Sequence, residues 1–192
     1  YALAIDVRPR QILALISDLK GENCHVHKYP FLPEEQLLPL LTRIVQEMLK
    51  EYEQENRKIL GISVGIYGVV RKNQILFTPY YPLPDPNLGS MLEETFGIPV
   101  LVENEANLSV LGESAFHYDC RNMIHINVHD GIGMGILING HLYKGKDGYA
   151  GEFGHTILFP DGKPCLPCNG FCQKGLTCSR RSYKKYAFGD SG

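Results

Sequence analysis

Residues Tyr1 to Phe31, YALAIDVRPRQILALISDLKGENCHVHKYPF, decide how the fold is read. Apolar residues alternate through Ile12, Leu13 and Leu15. A turn follows at Asp18–Gly21, and NCHVHKY resumes the strand character, so the stretch reads as three strands in a meander. Outward from it, Leu37, Leu40, Leu41, Ile44, Val45 and Met48 recur at helical spacing between Pro33 and about Asn56. Pro39 stands near the start of that segment, so the helical register is expected to settle only after it.

The rest of the chain continues as an alternation of strands and helices. GISVGIYGVV reads as a buried strand entering a glycine turn, and KNQILFTPYYPLPDPN as a proline-rich loop. A helix is expected from Leu88 to Phe96, a strand in IPVLVEN, and a helix in EANLSVLGESAF that opens directly from the strand's end. After NMIHINV, the run HDGIGMGILINGHLYKG reads as two strands around a glycine turn, with a hairpin at Asn139–Gly140. This order predicts an α/β lobe with a mixed sheet flanked by helices over residues 1–120. The pattern then begins again at Met123, so residues 121–192 are read as the start of a second, incomplete lobe.

The chain has 192 residues, 44% of them hydrophobic, and a net charge of -2. That is the composition of an ordinary globular protein, without the basic surface expected of a nucleic-acid binder. No apolar run reaches the length of a membrane span and no signal peptide opens the chain, so no membrane partner is expected. The first residue is Tyr rather than Met, and the sequence begins at once as a strand, which suggests that residues precede it. Of the six cysteines, Cys24 and Cys120 stand far from the four between Cys165 and Cys178. Such clustering suits a metal site in a reducing cytoplasm better than a disulfide framework, so a cytoplasmic location is expected.

Two stretches carry the chemistry. In LVENEANLSVLGE, Glu103, Asn104 and Glu105 stand where a buried strand passes into a helix, a junction that opens on the ligand crevice of an α/β sheet. Carboxylates and an amide there can take sugar hydroxyls, though Asn104 also fits a simple helix cap, the commoner arrangement. In YKGKDGYAGEFGH, Gly145, Gly148, Gly151 and Gly154 permit close backbone approach, and Glu152 and His155 are spaced to face one ligand from a single turn. A lone histidine there could equally be buried and satisfied by backbone. His155 is followed by Cys165, Cys168 and Cys172 in the pattern H-x9-C-x2-C-x3-C. One imidazole and three thiols suit a closed, structural Zn²⁺ site, with Cys178 as a possible substitute ligand.

VENEANLSVLGE, HDGIGMGILINGHLYKGKDGYAGEFGHTI and the cysteine cluster resemble the ROK family of repressors and sugar kinases. GISVGIYGVV and TPYYPLPDPNLGSMLEETFGIPV fall in that family's order. The resemblance covers residues 2–173, and its most specific part is the Gly-Glu-x-Gly-His block. It implies an actin-like, ribonuclease-H-like fold with a sugar cleft between two lobes, and a zinc bound by His155, Cys165, Cys168 and Cys172. It also implies that Asn104, Glu105, Glu152 and His155 line the cleft, with His155 serving metal and sugar through different ring nitrogens.

Within the family, kinases carry Asp-x-Gly-Gly-Thr after the first strand, where backbone amides grip phosphate. DVRPRQ stands there instead, with Arg8, Pro9 and Arg10 in the glycine and threonine positions. HDGIG puts Asp130 in the second phosphate loop, and Glu105 takes the place of the kinase's aspartate base. No catalytic residue and no ATP are therefore expected, and an ATP-dependent sugar kinase is the alternative reading. ENEAN and DLKG look closest to the repressor branch, above all its xylose-responsive regulators, in which a winged helix-turn-helix precedes the sugar-sensing part. The resemblance thus implies an effector domain for an unphosphorylated sugar, DNA contact through that missing head, and a homodimer. The cysteine spacing departs from the family's Cys-x-Cys-Gly-x-x-Gly-Cys-x-Glu, and Lys174 replaces its final, sugar-contacting Glu.

Overall fold

The computed structural model describes residues 1–32, 35–53, 58–82, 85–128 and 131–156. It divides into two compact units, Tyr1–Leu108 and Ser109–Gly192, with the division inside a helix.

In the first unit the opening meander forms as β1 (Ala2–Val7), β2 (Gln11–Ser17) and β3 (His25–Pro30). Two further strands, β4 (Gly61–Ile66) and β7 (Val100–Asn104), complete a mixed sheet in the order β3-β2-β1-β4-β7. β1–β2 and β2–β3 are antiparallel, whereas β1–β4 and β4–β7 are parallel. Alternation decides which face is dry. Leu3, Ile5, Val7, Ile12, Ala14, Ile16, Ile62, Val64, Ile66, Val100 and Val102 are all buried. They join one core with Leu41, Ile44, Val45 and Met48 of α1 (Leu37–Glu53) and Leu88 and Leu92 of α2 (Leu88–Phe96).

Two local expectations are corrected. α1 begins at Leu37, two residues before Pro39, so the proline lies in the first turn. Amides there have no intrahelical acceptor, and a missing N–H costs nothing. The segment after Lys72 is not all loop: β6 (Gln74–Phe77) pairs antiparallel with β5 (Val69–Arg71). Lys72 and Asn73 turn this hairpin with φ of 48° and 67°, the conformation of a two-residue type I′ connection. Asn73 then binds the hairpin tip to the edge of β7: its Nδ2 donates to the Val100 carbonyl at 3.0 Å and its Oδ1 accepts from the Val102 amide.

The junction after β7 leads straight into α3 (Glu105–Phe116), which runs across the boundary between the two units. On the sheet face opposite α1, Gly65 lets α3 approach closely. A Cβ added there would come within 3.3 Å of Leu108 Cδ1.

The second unit repeats the meander as β8 (Met123–Val128), β9 (Ile132–Ile138) and β10 (His141–Leu142), in the order β10-β9-β8. Its first pair is antiparallel, as in the first unit: Leu3 faces Ile16 there, and Ile124 faces Ile136 here. A short 3-10 turn, Glu152–His155, closes the described part. Gly151, which precedes that turn, has φ of 88°, and a Cβ on it would lie 1.9 Å from the Met134 carbonyl oxygen of β9. Only glycine fits there, which fixes how GYAGEFGH docks on its own sheet. No helix of the described residues is long and apolar enough to cross a membrane.

Candidate functional site

The three parallel strands of the first unit end in one row, because Val7 pairs with Ile66 and Ile66 with Asn104. Arg8, Tyr67 and Glu105 follow that row directly. It is the carboxyl edge of the sheet, where an α/β protein exposes its ligand crevice.

At the end of β1, Arg8 Nε donates to Asp6 Oδ2 at 2.6 Å. The Arg8 backbone amide is directed inward as well, to the Gln11 carbonyl at 2.9 Å, and the Arg10 carbonyl accepts from Phe31 at 3.1 Å. With Pro9 between them lacking an N–H, the turn is a closed hairpin connection rather than a row of outward amides. Beside it lies Tyr81, 6% exposed and in edge contact with Phe31. Burial pushes its phenol well above the ordinary tyrosine value, and the Asp6 carboxylate adds to the shift.

At the end of β7, Asn104 Oδ1 accepts from the backbone amides of Ala106 at 2.9 Å and Asn107 at 3.2 Å. Its Nδ2 donates to the Gly68 carbonyl at 2.7 Å. The oxygen therefore caps α3, and what Asn104 can still offer a ligand is the second hydrogen of its amide nitrogen. Glu105 is half-buried in the first turn of α3, where the helix dipole favours its carboxylate. Glu103, read from sequence as one of the carboxylates open to the crevice, is instead deeply buried at 3% exposure, and so is Asn107, which the sequence did not single out, at 5%. Both stand in the same ENEAN motif, but an acid and an amide in a sequence give no sign of whether they face water.

In the second unit, Glu152 Oε2 lies 3.2 Å from His155 Nε2, with each side chain about one-third exposed (34% and 33%). The single turn thus brings the acid and the imidazole together. With Nε2 turned to the acid, His155 would hold a metal through Nδ1, which is buried. Its companions Cys165, Cys168 and Cys172, with Cys178, Lys174 and Asp130, lie outside the described residues. Among the described residues no three metal-binding side chains come together. The donor set itself, one imidazole and three thiols, suits tetrahedral zinc. A polar line with no signal in the sequence runs from β8 to α3: His125 Nε2 lies 2.6 Å from Asn127 Oδ1, and Asn127 Nδ2 donates to Ser109 Oγ at 2.8 Å.

The profile described as the ROK family matches residues 2–187. The xylose repressor of Bacillus spizizenii is 34% identical over 178 residues, which are 90% of this chain and 46% of that protein. A solved ROK family transcriptional regulator, described as a homologue of the E. coli MLC protein, superposes with a TM-score of 0.80 at 24% identity, over 98% of this chain and 50% of that one. A ROK family glucokinase from Streptomyces griseus, solved with glucose and AMPPNP, gives a TM-score of 0.74 at 27% identity, over 91% and 54%. The chain thus spans about half the length of the relatives it matches.

Proposed function

The chain belongs to the ROK family, whose members share the actin-like fold, and from that premise we propose that it is the sugar-sensing part of a transcriptional regulator. In this reading it takes an unphosphorylated sugar, xylose first among the candidates. Its output is the DNA affinity of a helix-turn-helix element outside these 192 residues, working in the cytoplasm as a homodimer.

The observation that carries the reading is the closed turn after β1. A phosphate-gripping loop needs amides directed at its ligand. Here the Arg8 amide serves the hairpin, Pro9 has none, and the Arg8 guanidinium is paired with Asp6. The likeness to xylose repressors supports the same side. Ligand hydroxyls would be taken by the carboxylates of Glu105 and Glu152, the remaining Asn104 amide hydrogen and His155. These four include two acids and no Lys or Arg, a set that suits a neutral polyol and repels a phosphate. Zinc, held by His155, Cys165, Cys168 and Cys172, would supply folding energy to the loop that carries the histidine.

The likeness to a glucokinase favours a second reading, an ATP-dependent sugar kinase with Glu105 as the base. Glu105 is one methylene longer than an aspartate, and a base displaced by about 1 Å can lose on the order of a hundredfold in rate. A thermal-shift panel of pentoses, hexoses, their phosphates and ATP separates the two. Stabilisation by a free sugar and none by ATP is expected; stabilisation by ATP with turnover of the sugar would establish the kinase.

A further inference from the structure

We propose that Glu103 is a positioning residue: its buried carboxylate clamps the strand-to-helix junction that presents Glu105, and so sets sugar affinity without touching the sugar. The sugar part of this inference rests on the sugar-sensing reading; the clamp itself does not.

Glu103 is the penultimate residue of β7 and is 3% exposed. An ionised carboxylate loses most of its hydration in such a place, and an apolar side chain of similar volume would pack there without that loss. Local rules of this kind are broken chiefly where function needs it. What the acid does is visible in its partners. Its Oε1 accepts from the Asn104 backbone amide at 3.0 Å and from Asn107 Nδ2 at 3.0 Å. Asn107 is itself buried, and its own backbone amide donates to Asn104 Oδ1 at 3.2 Å.

Asn107 is therefore gripped twice by consecutive residues of the strand: by its side chain through Glu103 and by its backbone through Asn104. Ala106 is fastened to Asn104 Oδ1 as well, at 2.9 Å. Glu105 stands between these anchors, so the direction in which it leaves the helix start is held by the residues on either side of it. Charge-assisted hydrogen bonds are the stronger kind, which explains an acid rather than an amide at 103. The close packing of α3 leaves little room for slack. In register with Glu103 on β4 is Gly65, and its missing side chain is where Leu108 of α3 approaches. A polyol is bound through several weak hydrogen bonds, so its affinity depends on having their partners already oriented.

The test compares the 192-residue chain with Glu103→Met, which keeps the length and removes both acceptors, Glu103→Gln, which keeps one oxygen, and Asn107→Ala. Titration calorimetry with D-xylose and with D-glucose gives affinity, thermal melting gives stability, and amide hydrogen exchange reports residues 104–107. Glu103→Met exchanges a buried charge for an apolar group but leaves the Asn104 amide and Asn107 Nδ2 without their acceptor, so its melting temperature should fall by only a few degrees. It should nevertheless bind roughly three- to tenfold more weakly, the scale of one side chain that must be ordered on binding, with faster exchange at Ala106 and Asn107. Glu103→Gln should recover part of both, and adding Asn107→Ala to Glu103→Met should cost nothing more. Affinity that falls only in step with melting temperature, or wild-type exchange at Ala106 and Asn107 in Glu103→Met, would overturn the proposal. If wild type binds neither sugar, the sensing reading fails, and the exchange and melting data still decide the clamp.

Discussion

Arg8 reaches back two residues along the chain to hold Asp6, Nε to Oδ2 at 2.6 Å, and the cation that follows β1 is thereby committed to the carboxylate inside it. The expected consequence is the absence of kinase turnover. With ATP, Mg²⁺ and either glucose or xylose, a coupled assay should detect less than about a hundredth of an ordinary kinase rate of about 1 s⁻¹ or more. Phosphorylation at ordinary kinase rates would contradict the reading of the closed turn.

Purified protein that has never met a chelator should carry about one zinc per chain, the stoichiometry of a closed His-Cys₃ site. His155→Ala and Cys168→Ser should each lower that content and the melting temperature together. A content below about a tenth of an equivalent would remove the zinc site from consideration.

Glu152→Gln keeps the shape of the turn and replaces a charged acceptor with a neutral one. Sugar affinity should fall by about 1.5–3 kcal/mol, as for a hydrogen bond to a charged group, while zinc content stays at the wild-type level. His155→Ala should cost both. Wild-type sugar affinity in Glu152→Gln would leave the Gly-Glu-Phe-Gly-His stretch as a scaffold for the metal loop only.

Asn73 joins the β5–β6 hairpin to β7 through both ends of its amide. Asn73→Gly tolerates the φ of 67° and deletes only the amide. It should destabilise the chain by about 1–3 kcal/mol in urea titration, the cost of unpairing part-buried backbone groups. Asn73→Ala should lose more, because alanine disfavours that backbone conformation by a further ~1 kcal/mol.

Tyr81 predicts a pH dependence at the alkaline end. Its phenol is held above the ordinary value of 10.0 by burial, so the folded state keeps a proton that the unfolded state releases. Below about pH 10 both states are protonated and the group contributes its full share. As pH rises further, the unfolded chain ionises first and stability falls. Urea midpoints taken from about pH 9 to about pH 11.5 should decline in wild type and decline less in Tyr81→Phe. Equal slopes would show that another group governs the loss.

Much of the fold is legible in the linear chain. The opening meander, the helices at Leu88–Phe96 and Glu105–Phe116, and the return of the pattern at Met123 follow from apolar periodicity, a local signal written by the faces that must leave water. The ENEAN and GEFGH motifs mark the chemistry for a similar reason, since their residue types and spacings are linear facts. Gln74–Phe77 is harder to read. Prolines crowd the stretch that follows it and give it the look of a loop, and its pairing with Val69–Arg71 depends on the Lys72–Asn73 turn.

The sequence by itself determined most of the elements and the family, and it marks the residues proposed to hold a sugar or a zinc, because hydrophobic period, ligand chemistry and motif spacing need no third dimension. Only tertiary structure decided how those residues are spent. It turned the oxygen of Asn104 onto the helix it caps, closed Arg8 onto Asp6, and buried Glu103 against Asn107. Each outcome depends on which polar groups are removed from water and must find partners nearby, and burial is a property of the packed chain rather than of any residue in it.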